Sequence, residues 1–130
     1  MQAFHVLAPL VALLLVAYSN ASLVKLVVNE GDSVPVQFPG AKAIGRIVET
    51  GQQFFHFDGP NKGRFVTKEK KVIESDNYSI QNGTILLIKK FGKADVGSYT
   101  SEPNVFIEKV GNYSMAVAGP TLHITIKKKN

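Results

Sequence analysis

Few residues of this chain have the types and spacing that catalysis or metal binding requires. His56 and His123 are the only histidines after residue 21, and neither has an acidic neighbour at metal-ligand spacing. The 130 residues include no cysteine, which excludes disulfides, thiolate metal sites and a cysteine nucleophile. A glycine-rich phosphate loop, a nucleophile elbow and a Ser-His-Asp set are also missing. We therefore expect no enzyme activity, no cofactor and no metal.

The basic residues point to a different chemistry, the binding of anions. The net charge is +5, and thirteen of the fifteen basic residues are lysine. Outside a cell these side chains would meet sulfated glycans, anionic lipids or acidic proteins rather than nucleic acid. The alternative is that the lysines only form a solubilising surface. The candidate polyanion-binding residues are Lys68, Lys70, Lys71, Lys89, Lys90, Lys127, Lys128 and Lys129.

The start of the chain is typical of a signal peptide. Residues 6–17 are almost entirely apolar, and this run is too short to cross a bilayer, which needs about 20 residues. Ser19-Asn20-Ala21 places small residues at the positions that a cleavage site requires. We predict a signal peptide over 1–21 and one secreted domain over 22–130, with no membrane span.

Three glycosylation sequons agree with secretion by a eukaryotic cell. They begin at Asn77, Asn82 and Asn112, and each has serine or threonine two residues later. These asparagines are candidate sites of an extracellular glycoprotein.

Short apolar runs separated by turn residues predict strands throughout the mature chain. Val34, Val36 and Phe38 alternate with polar or small residues, and so do the residues of the stretch 122–126. Asn82-Gly83 is a favoured hairpin turn. No window has a sustained helical period, so we expect an all-β sandwich or barrel.

The segment Lys93–Ser101 resembles the turn before strand F of an immunoglobulin domain. It contains the pattern Asp-x-Gly-x-Tyr as Asp95, Gly97 and Tyr99, with Ser101 where that family has cysteine. Leu86 and Ile88 have the spacing of strand E, and residues 31–38 resemble strand B, with Phe38 at the other cysteine position. The chain therefore resembles a single I-set or V-set immunoglobulin-like domain, a sandwich of two antiparallel sheets, that lacks the inter-sheet disulfide.

The resemblance carries several structural expectations. Tyr99 would hydrogen-bond backbone upstream, and Asp95 would pair with Arg64 or Lys71. Phe38 would face Ser101 across the sheets, and Ser101 would need a hydrogen-bond partner. Pro35 cannot donate to a sheet, so we expect a bulge or an unpaired stretch there.

Two further features of the resemblance leave alternatives open. The tryptophan of strand C is absent, and that strand is either 44–50 or the run that contains Phe54 and Phe55. The residues after Ser101 predict a long F–G hairpin, which either projects as a contact site or folds over the sheet as core. Its candidate contact residues are Val105, Phe106, Val110, Tyr113 and Met115.

The function that this resemblance implies is recognition of, or adhesion to, another extracellular or cell-surface protein. The alternative is a structural component of the extracellular matrix that binds polyanions through the lysine clusters.

Overall fold

The computed structural model describes residues 23–128, and this part of the chain is built from strands. The predicted signal peptide and Lys129 lie outside the described residues. Besides the strands there is a single-turn 3₁₀ helix, Lys93–Asp95. The prediction of an all-β protein is confirmed. The strands are β1 (Leu23–Val28), β2 (Val34–Val36), β3 (Ala43–Val48), β4 (Gly51–His56), β5 (Phe65–Thr67), β6 (Val72–Ile73), β7 (Tyr78–Gln81), β8 (Ile85–Ile88), β9 (Gly97–Glu102), β10 (Val105–Val110), β11 (Tyr113–Ala118) and β12 (Thr121–Ile126).

The strands form two large sheets and one separate hairpin. The first sheet has seven strands in the order β1-β12-β9-β3-β4-β5-β6, and the second has three in the order β2-β8-β7. β10 and β11 pair with each other and with no other strand of the described residues. β1 runs parallel to β12, whereas the other neighbours are antiparallel.

The antiparallel pairing of β9 with β12 gives the seven-stranded sheet two distinct ends. β9 begins at Gly97, opposite Ile124 near the end of β12 and Val48 at the end of β3. We call this the corner end. At the other end, β9 finishes at Glu102 and β12 begins at Thr121, and the β10–β11 hairpin is inserted between them. We call this the hairpin end.

Both sheets bury apolar side chains in one shared core, the arrangement of a β-sandwich. Leu86 and Ile88 of β8 are fully buried, and so is Tyr99 on the opposite sheet. The remaining large core residues come from both sheets and their connections: Val34, Val36, Phe38, Ile44, Phe55, Phe57, Phe65, Phe91, Leu122 and Ile124.

Gly97 is required by the close approach of two strands. A Cβ atom at this position would lie 2.0 Å from the carbonyl oxygen of Ile47 on β3. Any larger residue would therefore push β9 away from β3 at the start of their pairing. This close contact is the physical reason for a glycine at position 97.

The expectation for Pro35 is wrong. Its strand pairs with β8 in an uninterrupted register, Val34 with Ile88 and Val36 with Leu86, and there is no bulge. β2 is an edge strand of the three-stranded sheet. An edge strand tolerates proline because the missing N–H need not face a neighbour.

The two positions where cysteines were expected by resemblance are both buried. Phe38 is 2% exposed and Ser101 is fully buried. The Ser101 hydroxyl donates a hydrogen bond to the carbonyl oxygen of Pro103 at 2.9 Å, so the predicted need for a partner is met. That the two side chains face each other stays a prediction.

Candidate functional site

The turn that leads into β9 is fixed by the hydrogen bond that the sequence predicted. The Tyr99 hydroxyl donates to the backbone carbonyl of Asp95 at 2.6 Å. The Asp95 carboxylate also accepts from the backbone N–H of Gly92 at 3.0 Å. Because both bonds span only three or four residues, a local sequence motif is enough to specify them.

Asp95 pairs with Arg46, not with Arg64 or Lys71 as predicted. The Arg46 Nη1 atom lies 2.8 Å from Asp95 Oδ1, and both side chains are nearly inaccessible. Arg64 instead lies 3.5 Å from Glu74 on the surface. The pattern Ile44-x-Arg46-x-Val48 held a signal for this, because alternation on β3 puts all three side chains on the buried face.

Arg46 is the centre of a buried polar network, which we call the Arg46 cluster. Its Nε donates to Gln53 Oε1 at 2.8 Å, its Nη1 to the Tyr99 hydroxyl at 3.1 Å and its Nη2 to the Tyr78 hydroxyl at 3.2 Å. The Tyr78 hydroxyl in turn donates to the Asp95 carboxylate. No buried polar side-chain atom of the cluster lacks a partner within the described residues. A complete network of this kind makes a buried charge tolerable.

Three aromatic rings, those of Phe65, Tyr78 and Tyr99, lie close to the Arg46 guanidinium group. The Arg46 guanidinium carbon lies 3.9 Å from the centre of the Phe65 ring, a favourable cation–π distance. Burial raises the pKa of the Tyr99 hydroxyl well above its usual range, although Arg46 partly offsets this. Burial likewise raises the pKa of Tyr78. Since Arg46 and Gln53 belong to the seven-stranded sheet and Tyr78 to the three-stranded sheet, the cluster links the two sheets.

The β10–β11 hairpin differs from the core in exposing apolar side chains. Val105 is 52% exposed, Ile107 65%, Tyr113 78% and Met115 53%. The side of the hairpin that carries Val105, Ile107, Lys109, Ser114, Ala116 and Ala118 is exposed along its whole length. The alternative in which this hairpin adds to the core therefore does not hold for these side chains. The side chains of Phe106 and Val110 lie outside the described part of the structure.

The candidate lysines lie at the corner end of the seven-stranded sheet or in connections that reach it. Lys68, Lys70 and Lys71 are exposed in the turn between β5 and β6. This turn borders a surface groove of about 570 Å³ that Thr50, Gln52 and Gln53 also line. Lys89 and Lys90 follow β8, and Lys127 and Lys128 follow β12; all four are exposed.

The three sequons occupy different environments. Asn82 and Asn112 are exposed in the β7–β8 and β10–β11 turns, and Asn82 and Gly83 have positive φ angles of 52° and 79°, as the predicted Asn-Gly hairpin turn requires. Asn77 is half-buried, and its amide side chain donates to the Lys90 carbonyl at 3.0 Å and accepts from the Lys90 N–H at 2.9 Å. Asn77 thus links the start of β7 to the end of β8.

His56 and His123 lie on β4 and β12, which are separated by two strands, so they do not meet. Among residues 23–128 no group of three or more histidine, aspartate or glutamate side chains is arranged to hold a metal. The same residues include no helix that is long and apolar enough to span a membrane.

A scan of the sequence against protein-family models and a search of curated proteins both give no match.

Proposed function

We propose that the chain is a secreted, single immunoglobulin-like domain that binds another extracellular protein through the β10–β11 hairpin. The sheet order supports the immunoglobulin-like assignment. The run β12-β9-β3-β4-β5 corresponds to strands G-F-C-C′-C″ of a variable-type domain, and β2-β8-β7 corresponds to B-E-D. In this correspondence β3, not the strand with Phe54 and Phe55, is strand C.

The turn before β9 supports the same assignment. The bond from Tyr99 to the Asp95 carbonyl has the form of the tyrosine corner of immunoglobulin domains. Arg46 lies on β3, the strand that corresponds to the one on which the family places its buried tryptophan, and its cluster joins β3, β4, β7 and the corner. The cluster thus supplies cross-sheet links in a domain that has no disulfide.

The proposed binding function is supported mainly by the exposed apolar residues of the hairpin. Four of the seven large apolar side chains exposed in the described residues lie on β10 or β11. Val105 and Ile107 lie on one face of the hairpin and Tyr113 and Met115 on the other, so both faces offer exposed apolar surface, a feature of protein contact sites. The hairpin occupies the F–G position, at an end of the sandwich where related domains carry recognition loops.

The test is affinity capture from extracellular fluid with the mature secreted protein as bait. The variant Ile107→Ser/Tyr113→Ser removes hairpin apolar surface. The matched control, Leu23→Ser/Val27→Ser, removes two equally apolar side chains from β1, both 60% exposed. We expect one protein to be retained by the wild type and the control, even at high salt, and lost with the hairpin variant. Direct binding to that purified protein should follow the same pattern.

The proposal fails if the three baits retain the same proteins, or if retention disappears in high salt. In the latter case the contact is electrostatic and does not involve the apolar hairpin. Mass spectrometry of secreted material tests whether the protein is secreted with its signal peptide removed. We expect an N-terminus near Ser22, and intact residues 1–21 would refute the signal peptide.

A further inference from the structure

Two lysine-bearing segments that are far apart in sequence converge at the corner end of the sheet. After β12, the backbone N–H of Lys127 donates to the carbonyl of Val28 at 2.7 Å. Lys127 and Lys128 therefore lie beside the end of β1, where the loop 29–32 begins.

The loop 29–32 is in turn bonded to the segment that follows β8. The Gly31 N–H donates to the Phe91 carbonyl, and the Phe91 N–H donates to the Asp32 carbonyl, each at 2.8 Å. Lys89 and Lys90 directly precede Phe91, and Lys93 lies two residues after it. The backbone bonds thus bring five lysines to one region, which we call the basic end: Lys89, Lys90, Lys93, Lys127 and Lys128.

We propose that the basic end binds a sulfated polysaccharide. All five lysines are exposed, and none of them forms an ion pair within residues 23–128. The solvent-accessible carboxylates in the same segments are Glu30 and Asp32, since Asp95 is buried and paired with Arg46. Positive charge therefore exceeds negative charge there, and it is free to attract an anionic polymer.

The same segments argue against a membrane surface as the anionic partner. Stable attachment to a bilayer needs apolar residues that insert, in addition to basic charge. In the lysine-bearing connections Phe91 is only 1% exposed, and beside them, next to Val28 at the end of β1, the exposed large apolar side chain is a single valine, Val27. Lysine ammonium groups suit a sulfated chain because they act as compact point charges with no demand for one fixed geometry. The choice of an extracellular polymer rests on the secretion in the proposed function.

The basic end and the hairpin are at opposite ends of the same two strands. β9 and β12 have six residues each, which corresponds to about 20 Å of extended chain. A polysaccharide bound at the basic end would therefore leave the hairpin free. The domain could be held on the polymer and still expose the apolar side chains of its hairpin.

The test measures the affinity of the mature protein for a heparin-derived oligosaccharide at several salt concentrations. Two variants, Lys89→Glu/Lys90→Glu and Lys127→Glu/Lys128→Glu, change each segment separately. The matched control, Lys42→Glu/Lys62→Glu, makes the same charge change at two exposed lysines of the hairpin end. We expect each basic-end variant to bind at least about tenfold more weakly and with a shallower salt dependence, while the control changes affinity less than about threefold.

Four outcomes would overturn the inference: no binding by the wild type, equal losses in all three variants, equal affinity for a desulfated oligosaccharide, or tighter binding to phosphatidylserine vesicles. The hairpin variant Ile107→Ser/Tyr113→Ser separates this inference from the proposed function. It should keep the oligosaccharide affinity while it loses the captured protein, so either proposal can fail without the other.

Discussion

The Arg46 cluster buries charge between the sheets, whereas the β10–β11 hairpin exposes apolar side chains to water. Arg46 is 3% exposed and Asp95 2%, yet Ile107 is 65% exposed and Tyr113 78%. Every buried polar side-chain atom of the cluster has a hydrogen-bond partner. The buried charges are therefore compatible with a stable core. In the hairpin nothing within residues 23–128 covers the exposed side chains that the structure describes. The first region therefore stabilises the fold, whereas the second leaves apolar surface accessible to solvent.

The largest effect should follow from removing the charge at the centre of the cluster. Arg46→Ala leaves the Asp95 carboxylate buried without its cation, which we expect to lower the free energy of unfolding by about 3–5 kcal/mol. Arg64→Ala is the matched control, because its pair with Glu74 is exposed and should be worth less than about 1 kcal/mol. Urea denaturation of both variants measures the difference. Similar losses in the two would mean that the cluster has no special role.

A disulfide between positions 38 and 101, which correspond by resemblance to the immunoglobulin cysteines, tests how the two sheets pack in the core. If Phe38 and Ser101 face each other, Phe38→Cys/Ser101→Cys should oxidise readily, since no other cysteine competes. The oxidised form should be more stable than the reduced form by about 2–4 kcal/mol, less any strain. Thiol titration and denaturation with and without reductant provide the measurement. Failure to oxidise would show that these residues do not face each other.

Alkaline pH should weaken the cluster but not the hairpin. The pKa values of Tyr78 and Tyr99 are raised in the folded state, so above about pH 10 the unfolded chain releases these protons first. The folded state then holds more protons, and the free energy of unfolding falls as pH rises. We expect stability to fall between pH 10 and 11, with about 1 kcal/mol of the loss from the fully buried Tyr99. Tyr78→Phe should weaken the pH dependence, and an unchanged profile would contradict the assignment.

A smaller loss is expected from the corner hydrogen bond alone. Tyr99→Phe removes the donor to the Asp95 carbonyl and an acceptor for Arg46, at a cost of about 1 kcal/mol or more. Tyr113→Phe, which removes an exposed hydroxyl from the hairpin, is the control and should change stability little. If both substitutions were neutral in chemical denaturation, the resemblance of 95–101 to an immunoglobulin corner would be accidental.

The smallest effect on stability should come from the hairpin itself. Ile107→Ser/Tyr113→Ser replaces side chains that are already in water, so the free energy of unfolding should stay within about 0.5 kcal/mol of the wild type. Thermal and urea unfolding give the value, beside the capture experiment. A loss of 2 kcal/mol or more would show that the hairpin packs against the domain, and the contrast with the Arg46 cluster would disappear.

The sequence by itself determined the features that depend on neighbouring residues. Alternating apolar positions predicted the strands, because side chains on a strand point to opposite faces with a period of two. The Asp95–Tyr99 bond spans four residues, so the motif contains both partners. The glycine of that motif was also identified from its local context, although the close contact with Ile47 that requires it is a tertiary one.

The tertiary structure alone decided which distant residues meet. Arg46 and Asp95 are 49 residues apart, and they meet because β3 pairs with β9 in one particular register. Charge alone does not distinguish Arg46 from Arg64 or Lys71 as the partner of Asp95, because the sequence does not reveal that register. The basic end likewise exists only because hydrogen bonds join the end of β1 to the segments after β8 and β12. Local patterns specify strands and turns, but the pairing of strands far apart in sequence sets which charges are buried together and which are left in solvent.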